Sequence, residues 1–216
     1  MVLCPLLCYS QFNVKVGYAV AGVEAQSNND ILQSYNDMQA QLLNSQLEKP
    51  LSDLKVMSGI NLGVSYRFSG FQSLEFGWEH LSSNKEAYGE LVSGELFSQE
   101  LYYRSNQYYI SYHLSFNKYG FGIGLGRNRF SIQDNIGNSD VKKKIVSETQ
   151  NMVRLNLALN LKSSHQVGFS IQPFFHLALD DVGLSELESE LDLEGTQSGA
   201  SFSNYGIRFI FYNGPQ

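Results

Sequence analysis

Eight runs that alternate apolar and polar side chains, joined by links that are by turns short and long, predict an all-β fold. The architecture expected is an eight-stranded antiparallel up-and-down transmembrane β-barrel with an amphipathic helix in the first long outer loop. A third observation sets which face meets lipid. The second face of these runs is built from Gly, Ser, Asn, Ala and Gln, not from the Lys, Glu and Thr of a water-washed strand. Small polar residues suit the inside of an eight-stranded barrel, which is only wide enough for side chains to fill. On the apolar face a charge would cost about 2–4 kcal/mol at the bilayer midplane, and the first, second, fifth, sixth and seventh runs carry none across their middles.

The first strand sets Phe12, Val14, Val16, Tyr18 and Val20 against Asn13, Lys15, Gly17, Ala19 and Ala21. The second sets Ile60, Leu62, Val64, Tyr66 and Phe68 against Asn61, Gly63, Ser65 and Arg67, and the third Leu74, Phe76 and Trp78 against Glu75, Gly77 and Glu79. Ser69-Gly70 between them makes a tight hairpin. In the fourth strand Tyr108, Ile110, Tyr112, Leu114 and Phe116 oppose Gln107, Tyr109, Ser111, His113 and Ser115. Asn117-Lys118 turns it into the fifth, Phe121, Ile123 and Leu125 opposite Gly120, Gly122, Gly124 and Gly126. The sixth alternates Val153 to Leu161 with Arg154 to Lys162, and Ser163-Ser164 turns it into the seventh, Val167 to Leu177. Pro173 predicts a bulge there, because a closed sheet has no edge to accommodate its missing N–H. The eighth strand places Tyr205, Ile207, Phe209 and Phe211 on one face and Asn204, Gly206, Arg208 and Ile210 on the other.

The links between strands two and three, four and five, and six and seven are tight, and the other four are long and fall at the opposite end. Short turns at one end, long loops at the other and an even strand count are the plan of an outer-membrane barrel with both termini at the periplasmic end. Residues 1–10, an apolar run with both cysteines (Cys4, Cys8), read as the remnant of a signal peptide, and 11–216 as the barrel domain. No apolar run approaches the roughly 20 residues of a membrane helix, and a net charge of −6 without a concentrated basic face argues against nucleic acid. A soluble lipocalin-like ligand-binding barrel is the alternative that the composition of the polar face disfavours.

From about Phe12 to Phe211 the chain resembles the small outer-membrane barrels of the OmpA, OmpX and opacity-protein type. Its end, Asn204-x-Gly206-x-x-Phe209-x-Phe211, is similar to the assembly signal of that family. The resemblance implies a bacterial outer-membrane location and recognition of this segment by the barrel assembly machinery. It also implies contact with outer-membrane lipid and lipopolysaccharide, and a protein partner at the outer loops. It implies a non-enzymatic protein acting through its surface loops in adhesion, complex assembly or envelope integrity. No cofactor is expected, and no two histidines have the spacing of a metal site.

The inward charges are Lys15, Arg67, Glu75, Glu79, Arg154 and Arg208. An unpaired charge in so narrow a lumen is costly, so each glutamate is expected to find a basic partner among Lys15, Arg154, Arg67 and Arg208, giving a plugged, polar, salt-bridged interior. His113 and His176 are expected to fill space. The alternative function rests on His80 and Ser82, which share a face and resemble the His-x-Ser pair of lipid A deacylases, with Glu86, Glu90 or Glu95 to orient the imidazole. In the first loop Ile31, Tyr35, Met38 and Leu42 recur at helical spacing after the capping candidates Asn29 and Asp30, with Pro50 as the stop. Lys142-Lys143-Lys144 in one loop faces an acidic run from Asp180 to Glu194 in the next, an arrangement suited to mutual attraction.

Overall fold

The computed structural model describes residues 11–42, 47–90, 96–136, 142–162, 167–193 and 199–213. The order of elements is β1 (Gln11–Val23), α1 (Gln26–Leu42), β2 (Leu47–Lys49), β3 (Val56–Arg67), β4 (Gln72–Glu90), β5 (Leu96–Phe116), β6 (Tyr119–Ile136), β7 (Lys143–Lys162), β8 (Val167–Ala178), α2 (Ser185–Glu190) and β9 (Asn204–Asn213). Every neighbouring pair of long strands is antiparallel. Because β1 pairs with both β3 and β9, and β4 with β5, eight strands close on themselves and leave no edge. β2 is a short addition, paired to the far end of β4 through Leu47↔Gly89 and Lys49↔Tyr88.

The alternation read from the sequence is the alternation of the barrel wall. Phe12, Val14, Val16, Tyr18 and Val20 stand exposed outside, while Asn13, Lys15, Ala19 and Ala21 are buried inside. The same holds for Phe121, Ile123 and Leu125 on β6, and for Tyr205, Ile207, Phe209 and Phe211 on β9. An apolar band of this extent around a closed barrel is a lipid-facing surface. On β5 it runs from Tyr108 to Phe116, the 9–11 residues or so that a tilted membrane strand needs. Aromatic rings border the lower end: Phe12 lies 4.9 Å from Tyr66, Phe71 6.2 Å from Phe116, and Phe169 5.0 Å from Phe211. This end also carries both termini of the barrel and the tight turns. In one turn Ser69 Oγ accepts from the Gln72 N–H at 3.1 Å, and in the next Asn117 takes φ 55°, a left-handed conformation that asparagine tolerates.

Three expectations are corrected. The third-to-fourth and fifth-to-sixth links are not long loops: β4 and β5 run on until only residues 91–95 separate them, and β6 and β7 until 137–142. Secondly, no bulge forms at Pro173. Its pairing with Ile207 of β9 is in register, and on the other side the ladder with β7 simply lapses between Asn156↔Phe174 and Leu159↔Ile171 without a shift, which accommodates the absent N–H. Thirdly, α1 starts at Gln26, not at Asn29 or Asp30, and it ends at Leu42, ahead of Pro50. Asn29 instead accepts from the Leu54 N–H at 2.8 Å, and Asp30 accepts from Gln26 Nε2 within the first turn. The leader expected over residues 1–10 and the Ser163-Ser164 turn lie outside the described residues.

Candidate functional site

The lumen has two halves of different chemistry. In the lower half, within the membrane, Glu75 pairs with Lys15, accepts from Tyr109 Oη at 2.8 Å and faces His113 Nε2 at 3.4 Å. Two rungs higher, Glu79 pairs with Arg208, accepts from Asn61 Nδ2 at 3.2 Å, and has Arg154 at 4.0 Å. Arg154 spreads over the Tyr109 ring, 3.6 Å from its centroid, and donates to Gln107 at 2.9 Å. Arg208 lies over Phe174 at 4.1 Å, donates to Asn156 at 3.3 Å, and meets His176 Nε2, which must accept because a guanidinium only donates. Tyr109 fits because residue 77 opposite is glycine: a Cβ there would collide with its ring. Two carboxylates and three cations are thereby matched almost one for one inside a space nearly closed to water.

Lys15, Glu75, Glu79, Arg154 and Arg208 lie together, and Arg67 does not join them. Glu75 lies over Gly63, the residue directly opposite Lys15, which brings the lysine within reach. Arg67 sits a rung nearer the lower end, opposite Ser73, half-buried, and lines a cavity of about 20 Å³ together with Asn13, Ser65 and His113. That is room for about one water.

In the outer half the inward face turns apolar, which the sequence reading did not anticipate. Leu81 and Ala87 on β4, Leu101 and Tyr103 on β5, and Phe130 and Ile132 on β6 are buried there. Against them pack Ile31, Leu32 and Tyr35 of α1, Leu51 and Leu54 of the returning segment, and Leu184, Leu187 and Phe202 around α2. Phe202 stacks on Phe130 with centroids 3.9 Å apart. Polar ties fix the helix to the wall: Tyr35 Oη donates to Gln99, and Tyr103 Oη donates to Asn28 at 3.2 Å. Burial pushes both phenols above their ordinary range, and it raises the Asp134 carboxyl next to Gln99 in the same way. Asn36 exchanges two 2.9 Å bonds with the backbone of Leu51, closing the loop on itself. The spacing of Ile31, Tyr35 and Met38 thus marked the face that packs over the barrel mouth; the signal for its counterpart was the phase of the alternation in β4, β5 and β6.

That phase inverts within β4, β5 and β6. On β6 the outward Phe121, Ile123 and Leu125 are followed by Arg127 and Arg129, while the inward Gly122, Gly124 and Gly126 are followed by Asn128, Phe130 and Ile132. The period of two never breaks between them. The strand leaves lipid for water on one side and leaves a polar lumen for an apolar core on the other.

His80 and Ser82 are on the outer face of β4, just beyond the lipid band. His80 Nδ1 faces Asn106 Oδ1 at 2.9 Å and its ring stacks on Trp78. Ser82 is opposite Ser58 and Arg104, and among the described residues no hydrogen bond joins it to His80. Glu86 is paired with Lys49 at 2.9 Å, and Glu95 lies outside the described residues. Among the described residues no group of three His, Cys, Asp or Glu could hold a metal ion. The opposed loop charges do meet, through Lys143 and Glu190 at 2.5 Å, while Lys142 sits over the Tyr102 ring. In the terminal strand Phe209 and Phe211 face lipid, Asn204 is buried, and a Cβ at Gly206 would collide with the Val20 carbonyl.

A closed eight-stranded antiparallel barrel with a lipid-facing band, a filled lumen and long outer strand ends defines the class, a small transmembrane β-barrel of the outer-membrane type. No family model and no curated protein matches the chain in sequence. Among solved structures it is similar to Ail, the attachment invasion locus protein of Yersinia pestis, solved with the heparin analogue sucrose octasulfate. That match has 14% identity over 93% of this chain and 99% of that one, with a TM-score of 0.44. It is also similar to Neisserial surface protein A (10% identity, 94% and 97% covered, TM-score 0.46) and to the outer membrane protease OmpT of Escherichia coli (7%, 94% and 96%, 0.42).

Proposed function

We propose that this protein is a non-enzymatic, non-conducting outer-membrane barrel that acts through its outer surface, in adhesion, complex assembly or envelope integrity. The observation that carries the reading is the apolar core in the outer half of the lumen, where α1, α2 and the wall of β4–β6 bury Leu32, Leu54, Leu101, Ile132 and Leu187 together. A lumen filled by close-packed hydrocarbon above and by interlocked buried ion pairs below leaves little room for an aqueous path. The work then falls to what the barrel presents outside. Among the described residues no hydrogen bond joins His80 to Ser82, which favours the non-enzymatic reading over a lipid hydrolase. The terminal Asn204, Gly206, Phe209 and Phe211 supply the segment that the barrel assembly machinery would read. The test is single-channel recording in planar bilayers: the wild type gives a silent trace after insertion, and a steady conductance from the intact chain would overturn the reading.

A further inference from the structure

Immediately above the lipid band, the outward face of β5 and β6 carries three arginines. Arg127 is two residues beyond Leu125 on the same face, beside the interfacial Tyr108, its partner across the ladder. Arg129 follows opposite Asn106, and Arg104 lies diagonally from Arg129, opposite Ser131. Same-face neighbours along a strand and diagonal neighbours across a pair are each separated by about 7 Å. A phosphate group placed between two such guanidinium forks would be held from both sides. The flanking strands add neutral residues at these levels: Trp78, His80 and Ser82 from β4, and Ser147, Thr149 and Asn151 from β7. Asp180 is taken up by Asn151, through its backbone N–H at 3.0 Å and its side chain at 2.7 Å. Among the described residues none of the three arginines has an ion-pair partner, in contrast to the cations of the lumen.

We infer that Arg104, Arg127 and Arg129 form a docking site for the phosphate groups of outer-leaflet lipid. Continuity with the lipid face selects this occupant. Acyl chains lying on Ile110, Ile123 and Leu125 place their headgroup at the level of Tyr108 and Arg127, where the outer aromatic border of the band falls. Charge selects it as well, since three neighbouring cations repel one another until an anion sits among them, and arginine binds phosphate through a planar fork that lysine lacks. The inference deepens the proposed function by naming what the outer wall holds, and it does not depend on whether the lumen conducts.

Trp78, the only tryptophan of the chain, borders the patch and supplies a local reporter. Wild-type protein and the triple variant R104Q/R127Q/R129Q are placed in phosphatidylcholine nanodiscs with increasing amounts of dansyl-labelled diphosphorylated lipid A, and energy transfer from Trp78 is followed. The wild type is expected to reach half-maximal transfer at about tenfold less lipid A than the variant, the worth of one good charge-assisted hydrogen bond. Dephosphorylated lipid A should give one curve for both. These side chains are at the surface, so the variant keeps its folded band on an unboiled gel, and Lys118→Gln at the opposite end of the barrel keeps the wild-type curve. Coincident wild-type and variant curves with diphosphorylated lipid A would overturn the inference. So would arginine-dependent binding of soluble inositol hexaphosphate to discs in which lipid A shows no such preference, since the site would then serve a soluble polyanion.

Discussion

The two halves of the lumen are filled by opposite means. In the membrane half the wall fills its own interior, with glycines making room and Lys15, Glu75, Glu79, Arg154 and Arg208 interlocked across it. In the outer half the wall turns apolar, and a separate piece of chain, α1 with its returning segment and the loop around α2, is buried against it. The difference follows from what lies outside. Where the outer face must be apolar for lipid, period-two alternation leaves the inner face to polar residues. Where the outer face meets water, that face takes the polar residues, and the inner face is free to become an ordinary hydrophobic core. One half is specified by ion pairing and the other by packing, so damage to each should look different.

The largest effect is expected from Glu79→Ala, which leaves Arg208 and Arg154 buried without their carboxylate. Breaking such a pair costs about 3–5 kcal/mol, and the whole barrel should lose stability, read as a lower temperature at which the folded band disappears on gels. Leu32→Ala in α1 should cost on the order of 3 kcal/mol, but only in the outer half. Hydrogen exchange should quicken in α1 and at the ends of β4–β6 while the strands in the membrane keep their protection. A loss of protection spread evenly over both halves would erase the distinction.

Asp134→Asn is the smallest change and sharpens the same comparison through pH. Burial, above all, raises the Asp134 carboxyl, with the negative charge of Glu190 adding to it. The folded chain therefore keeps a proton that the unfolded chain has released, and stability falls as pH rises from the ordinary carboxylate range through the raised pKa. The variant should stabilise the outer half at neutral pH and match the wild type below the ordinary aspartate pKa of about 4. Chemical denaturation monitored across this pH range would show the gap opening as pH rises. A gap that widens towards acid would reverse the sign.

The barrel, its sidedness and most of its inner charges were legible because one face of each membrane strand is uniform. Phe121-Gly-Ile-Gly-Leu125 states both lipid and lumen in five letters. The extensions were hidden by the same rule. The apolar outer face of β6 stops at Leu125, although the strand continues to Ile136 with the faces exchanged, Arg127 and Arg129 out, Phe130 and Ile132 in. In β5 the crossover falls between Tyr108 outside and Tyr103 inside, so Leu101 looked like loop. The partner of Glu75 was a matter of where a glycine leaves room, which pattern alone does not reveal. The arginine patch, too, appears only when β5 and β6 are placed in register.

The inversion of faces at the membrane boundary is most directly tested by a nitroxide scan of β6 in lipid bilayers, with Cys4 and Cys8 replaced by serine and single cysteines placed from Phe121 to Ile132. Labels at Phe121, Ile123 and Leu125 are expected to relax with oxygen, those at Arg127 and Arg129 with an aqueous nickel chelate, and those at Phe130 and Ile132 with neither. Oxygen sensitivity that continues on the outer face through Arg129, or nickel access at Phe130 and Ile132, would contradict the two-part lumen.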